Sequence, residues 1–150
     1  MPKRLLTVAA AALGLWAVSA LPAAAEDTLY KLSIADAMAM PVVTDNIDSS
    51  VKFYFGDAAH PAVVQDFGSY VSNKKANSVG KSDKQSCTRA FASALISLRD
   101  RAHDLGANAV IDIHSYFKQH DVSSETDVEC YVGTLMNGVA LKGEFVKLGE

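Results

Sequence analysis

Two cysteines, a histidine–aspartate group and a run of lysines are the side chains of this 150-residue chain that invite a chemical reading. Cys87 and Cys130 are its only cysteines. Outside the cytoplasm two thiols most simply form one disulfide; a reactive thiol or a metal thiolate would need a reduced or preloaded site. No Cys-x-x-Cys occurs, so thioredoxin-like exchange has no support. A bridge would close a loop of about 44 residues, which the chain-entropy relation values at about 4 kcal/mol. Asp112, His114, His120 and Asp121 combine imidazole with carboxylate, a donor set that suits zinc, nickel or copper. On a strand, positions 112 and 114 point the same way. His-x5-His is no recognised structural spacing, however, and exposed histidines are the competing reading. His60 and His103 show no partner. A divalent transition metal is the cofactor this group would take; nothing in the chain requires one.

Lys74, Lys75, Lys81 and Lys84 fall in a polar stretch from Asn73 to Ser86 that reads as a loop. They could form an anion-binding or interaction surface, against the plainer reading of a solvated loop. Gly80-Lys81-Ser82 is not a phosphate loop. That motif needs glycine five residues before Gly80, and position 75 is lysine. No nucleophile elbow is present, and Glu125 with Glu129 suits a solvated hairpin rim better than acid–base work. ATP chemistry and hydrolysis are therefore poorly supported.

These residues follow an export-like start. Lys3 and Arg4 precede an uncharged run from Leu5 to Leu21; Pro22 breaks it, and Ala23-Ala24-Ala25 supplies small residues before Glu26. The run is alanine-heavy and short for a spanning helix, which needs about 20 strongly apolar residues. Residues 1–25 read as a cleaved signal peptide, with a retained anchor as the alternative. No cysteine near the cleavage point offers a site for a lipid. The expected mature chain is periplasmic or secreted, without stable membrane insertion. Removing Lys3 and Arg4 moves the net charge from −3 to −5. By bulk electrostatics that is a poor binder of nucleic acid or of anionic membranes.

The elements that position these groups follow from periodicity. Residues 26–50 read as an N-terminal extension with no clear structure. Val51 to Phe55 alternates as a strand with Val51, Phe53 and Phe55 on one face. Val63-Val64 and Asp66 to Ser72 form a second strand, in which Gly68 suggests a bulge. Phe91, Ala94, Leu95, Leu98, Ala102 and Leu105 recur at helical spacing, predicting a helix over 88–105 capped by Ser86 or Thr88 and stopped by Gly106. Asn108 to Phe117 reads as a strand with Ala109, Ile111, Ile113 and Phe117 on one face and Val110, Asp112, His114 and Tyr116 on the other. A last strand runs from about Val128 towards Leu141, bulged at Asn137-Gly138. Phe145 and Val146 suit a short final strand. The order β-β-α-β-β predicts a small single α+β domain over 51–150, one long helix on a mostly antiparallel sheet.

The series Cys87, alanine-rich helix, Leu105-Gly-Ala-Asn-Ala-Val110, strand, Cys130, Gly138-Val-Ala-Leu141 resembles the signalling domain of the RcsF outer-membrane stress sensor. Through its helix, Leu-Gly-Ala-x-Ala-Val turn and strand it is also similar to the YbjQ family, described as heavy-metal-binding. Val51-Lys-Phe-Tyr-Phe55 and Phe67-Gly-Ser-Tyr-Val-Ser72 fit the strands before the first RcsF cysteine. The match covers about residues 51–142. It implies a Cys87–Cys130 bridge tying the helix start to the last strand. The second RcsF disulfide has no counterpart, since the positions near Ser115 and at Met136 hold no cysteine. The RcsF lipid anchor and long linker are also lacking here. YbjQ relatives assemble into rings, which leaves an oligomer open. The expectation is a non-enzymatic exported module that binds an envelope protein through a sheet edge or the lysine loop. A periplasmic metal-binding protein is the alternative, and a small hydrolase a distant third.

Overall fold

The computed structural model describes residues 28–150. The expected signal peptide and its cleavage point lie outside the described residues. The fold is α+β: one long helix packs on a six-stranded, mostly antiparallel sheet.

Chain order begins with β1 (Thr28–Ser33), α1 (Ile34–Met38), α2 (Pro41–Thr44), β2 (Lys52–Phe55) and β3 (Val63–Asn77). It continues through α3 (Asp83–Leu105), β4 (Ala109–Ser115), a 3-10 turn (Phe117–Gln119), β5 (Asp127–Val132) and β6 (Met136–Leu148). The long β6 is the axis of the sheet. One of its sides pairs along its length with β3. The other is shared: Gly138 and Asn137 pair with β5, and residues from Leu141 to Val146 pair with β4. Beyond β5 lies β1, antiparallel; beyond β4 lies β2, the one parallel neighbour among the described residues.

Segment 28–50 is part of this unit rather than an extension to it. β1 pairs with β5 from Thr28↔Val132 to Ser33↔Asp127. Leu32, Ile34, Ala37 and Val43 are buried in the main core. A six-residue strand and two helices of five and four residues are too short to show a period in the sequence, so only sheet pairing reveals them.

Helix α3 begins at Asp83, five residues before the expected start. Ser82, not Ser86 or Thr88, is its cap, and Ser82 and Gln85 close a capping box. Ser86 and Thr88 are buried, with hydroxyls bonded back to carbonyls of the first turn. The expected stripe holds: Phe91, Ala94, Leu95, Leu98 and Ala102 are buried, and Gly106 ends the helix at φ 78°. Against them lie Val139, Leu141 and Phe145 of β6, with Phe55 stacked on Phe91 at 5.9 Å.

The two sulfurs sit in this layer. Cys87 Sγ and Cys130 Sγ are 2.06 Å apart, a disulfide, with both residues fully buried. It joins the second turn of α3 to β5. Asn137, also fully buried, donates from Nδ2 to Ser86 Oγ beside it.

Three further expectations change. The second strand is one continuous β3 of 15 residues, bulged at Gly68 (φ 93°) as anticipated, so the loop before α3 shrinks to 78–82. The last strand is not one bulged strand. It divides into β5 and β6 around a turn at 133–135, where Gly133 N–H donates to Met136 O. Asn137-Gly138 lies inside β6, and Phe145-Val146 continues that same strand to Leu148. An Asn-Gly pair is a turn signal only where nothing else uses the asparagine; here the side chain is bound to the helix.

The face alternation of β4 also breaks. Asp112 has φ 48°, and the β4–β6 register slips between Ile111↔Glu144 and His114↔Lys142. Asp112 and Ile113 therefore share one partner, Gly143. Val110 and Ile113 both enter the main core, whereas Ala109 and Ile111 join Val146 and Leu148 in a small cluster on the opposite face. A β carbon on Gly143 would lie 2.6 Å from Val110 Cγ1 and 3.2 Å from Ile113 Cγ1, so the crossing of β6 over the bulge requires glycine.

Candidate functional site

The bulge decides where His114 goes. Without it, His114 would share a face with Val110 and point under α3; with it, His114 turns to the side of the sheet that, among the described residues, no helix covers. Nδ1 lies 2.7 Å from Asp112 O and Nε2 lies 2.7 Å from Asp121 Oδ1. A carbonyl oxygen only accepts, so Nδ1 donates to Asp112 O. The Asp112 carboxylate stands 3.6 Å from Nδ1.

Of the four anticipated metal ligands, three are thus brought together and one is not. His120 is exposed, and its backbone N–H bonds to Phe117 O. The three do not converge on a point. Asp112 and Asp121 sit beside different nitrogens of one imidazole, and these diverge. Among the described residues no group of three or more His, Cys, Asp or Glu side chains is arranged to hold a metal ion.

The arrangement is instead a clasp. It fastens the 116–126 connection across the open face, helped by reciprocal backbone bonds between Ser115 and Val122. Ser115 Oγ accepts from Glu129 N–H at 2.8 Å, and Phe117 stacks on Tyr131 at 3.6 Å between ring centroids. The three non-glycine residues with left-handed backbone among the described residues, Asp112, Lys118 and Gln119, all flank His114. Burial, then the hydrogen bond to Glu129 and its charge, raise the Tyr131 phenol above its ordinary 10.0.

The four lysines do not form a loop cluster. Lys74 and Lys75 are on β3 and point to opposite faces, Lys74 beside α3 near Ser97 and Arg101, Lys75 across Gly138. Lys84 is in the first turn of α3 and pairs with Asp36 at 3.0 Å. Only Lys81 lies in the connecting turn. Strand length concealed this, because lysine and asparagine are poor strand formers by composition.

One constellation escaped the sequence. Ser50 Oγ lies 2.9 Å from His103 Nε2 and also bonds to Asp48 Oδ1. The side-chain bond from Ser50, then its backbone bond, hold the Asp48 carboxyl below its ordinary 3.8, with Arg99 and His103 adding. The order is the reverse of nucleophile activation: the single hydroxyl proton goes to Asp48, so His103 must donate. A separation of 53 residues in sequence left no local signal for this contact.

The Gly106-Ala-Asn-Ala-Val110 stretch has a structural use. Asn108 Nδ2 donates to Leu148 O at 3.1 Å, and its Oδ1 accepts from Leu148 N–H at 2.7 Å. Asn108 O accepts from Lys52 N–H. One residue thereby holds the end of β6 and the start of β2 to β4.

No family model, curated protein or solved structure matches this chain.

Proposed function

We propose that the protein is an exported, non-enzymatic binding module, a distant relative of the RcsF signalling domain, that takes an extended segment of an envelope protein along β3. The observation that carries this reading is the outer side of β3. Its 15 residues pair with β6 on one side and, among the described residues, with nothing on the other. An unpaired strand edge offers a row of backbone donors and acceptors to a partner strand. Val63, Val64 and Val71 are exposed along it, which adds apolar side-chain contacts. The Gly68 bulge and Lys74–Lys75 interrupt the edge and would restrict which strand can add. The buried Cys87–Cys130 bridge supports an oxidising address and suits the proposed kinship.

The test is site-specific photocrosslinking in cells, with the probe at Val71 or Asn73 on β3 and, as control, at Lys52 on β2. One discrete protein adduct from the β3 positions, absent from the control, is expected. No adduct at either β3 position in repeated trials overturns the reading. Fractionation of the same cells, followed by the mass of the recovered chain before and after thiol alkylation, checks export, cleavage and the bridge.

A further inference from the structure

Seven large apolar side chains are exposed among the described residues, and four of them, Leu29, Val79, Leu135 and Met136, lie towards one end of the sheet. Val79 tops the β3–α3 turn and is 60% exposed; Leu135 tops the β5–β6 turn and is 65% exposed. The two turns are fastened together, because Ser78 N–H donates to Leu135 O at 2.9 Å. Met136 pairs with Asn77 just behind them, and Leu29 pairs with Tyr131. Single exposed apolar residues are ordinary, but four on adjoining turns and strand ends make a patch that asks for a partner.

Charge is sorted to the same end. Residues 28–32, 73–84 and 128–139 hold Lys31, Lys74, Lys75, Lys81 and Lys84 against Asp83 and Glu129, with Glu129 opposite Lys31 and Lys74 beside Asp100 and Asp104. Lys84 spends part of its charge on Asp36. The chain as a whole is acidic, so bulk charge conceals a basic end. The chain also enters the fold here: Thr28 pairs with Val132, next to the β5–β6 turn, and the uncharged run 5–21 lies just upstream in sequence.

We infer that this end, with Val79 and Leu135 at its apex and lysines behind, docks reversibly on an anionic lipid bilayer surface. A projecting apex that carries two apolar tips, with Lys75 and Lys81 behind them, suits the boundary between acyl chains and headgroups. Anionic lipids attract lysine near the surface, whereas protein interfaces are depleted of it. This step rests on the export reading for its orientation: a chain leaving a membrane through residues 1–27 presents this end to that membrane first. It is independent of the β3 edge.

The probe is the protein recovered from the periplasm after expression of the full chain, sedimented with phosphatidylcholine vesicles with and without phosphatidylglycerol. Binding is expected to the anionic vesicles and to fall with salt. Leu135→Asp or Val79→Asp should weaken it about tenfold or more, as apolar burial at the apex is lost. Neutralising Lys75 or Lys81 to Gln should cost about fivefold each. Val64→Asp, at the far end of β3, should change nothing. All of these positions are exposed or half-exposed, so unchanged melting temperatures verify the fold. Absence of sedimentation overturns the proposal. So does binding that ignores Leu135→Asp or is equal on neutral vesicles, and so does a discrete protein adduct from a photoprobe at 135 in place of lipid. Failure to recover the chain from the periplasm would sink the export reading instead, and the vesicle result would still be read on chain recovered from the cytoplasm and oxidised.

Discussion

The two faces of the sheet are built on different principles. The face under α3 is continuous and apolar: Phe91, Leu95 and Leu98 of the helix meet Val139, Leu141 and Phe145 of β6, with a disulfide among them. Among the described residues the opposite face has a small cluster of Ala109, Ile111, Val146 and Leu148, and beyond it a polar clasp at His114. Stability rests on the first face through area and a covalent bond. The second face is shaped by hydrogen bonds and left-handed backbone, which hold one arrangement without burying much surface. The contrast teaches that the cysteines fasten the massive face covalently, whereas the histidine–aspartate group fastens the thin face by hydrogen bonds.

The largest test of this contrast is on the covered face. Cys87→Ser should cost about 4 kcal/mol under oxidising conditions, by the loop-entropy relation. For a domain of this size that lowers Tm by about 15 °C in calorimetry. An unchanged melt would mean that the bridge contributes nothing and that the two faces are not so unequal. Gly143→Ala comes next. The new methyl would collide with Val110 and Ile113 where β6 crosses the bulge, and overpacking of this kind costs about 1–3 kcal/mol. A neutral result in urea titration would show that the β4 bulge relaxes freely.

On the open face the effects should shrink. His114→Ala removes two hydrogen bonds and should destabilise by about 1–2 kcal/mol. Its signature is local: amide exchange should quicken over residues 116–126 and stay unchanged in α3. Quickening in α3 would refute a division of labour between the faces. The smallest effect is a pH dependence. Tyr131 has its folded pKa above its unfolded value, so its contribution is present below about pH 10 and is lost as pH rises through the folded value. Tyr131→Phe should flatten that alkaline decline in Tm, and an identical slope would remove Tyr131 as its source.

Legibility followed the same division. The helix stripe, the Gly106 stop and the strand at 51–55 were readable because each repeats a local period over enough residues. The start of α3 was misplaced because three hydroxyl residues, Ser82, Ser86 and Thr88, compete as caps, and only one has glutamine three residues on. The shared face expected of Asp112 and His114 fails because the positive φ at Asp112 reverses side-chain parity, and aspartate gives no warning of it. The Ser50–His103 contact joins the loop before β2 to the end of α3, which no window of sequence contains.

Taken alone, the amino-acid sequence determined the elements whose pattern is local: the amphipathic helix, its glycine terminus, the alternating strands, and a cysteine pair with only one way to join within the chain. Tertiary structure decided which way side chains face and which strands become edges. It drew 28–33 into the sheet, sent Lys74 and Lys75 to opposite sides, divided the last strand at 133–135 and turned His114 away from the helix. The physical reason is that periodicity records burial averaged over a segment. A single bulge or a remote pairing partner changes direction at one residue, and its cause lies in a strand many residues away.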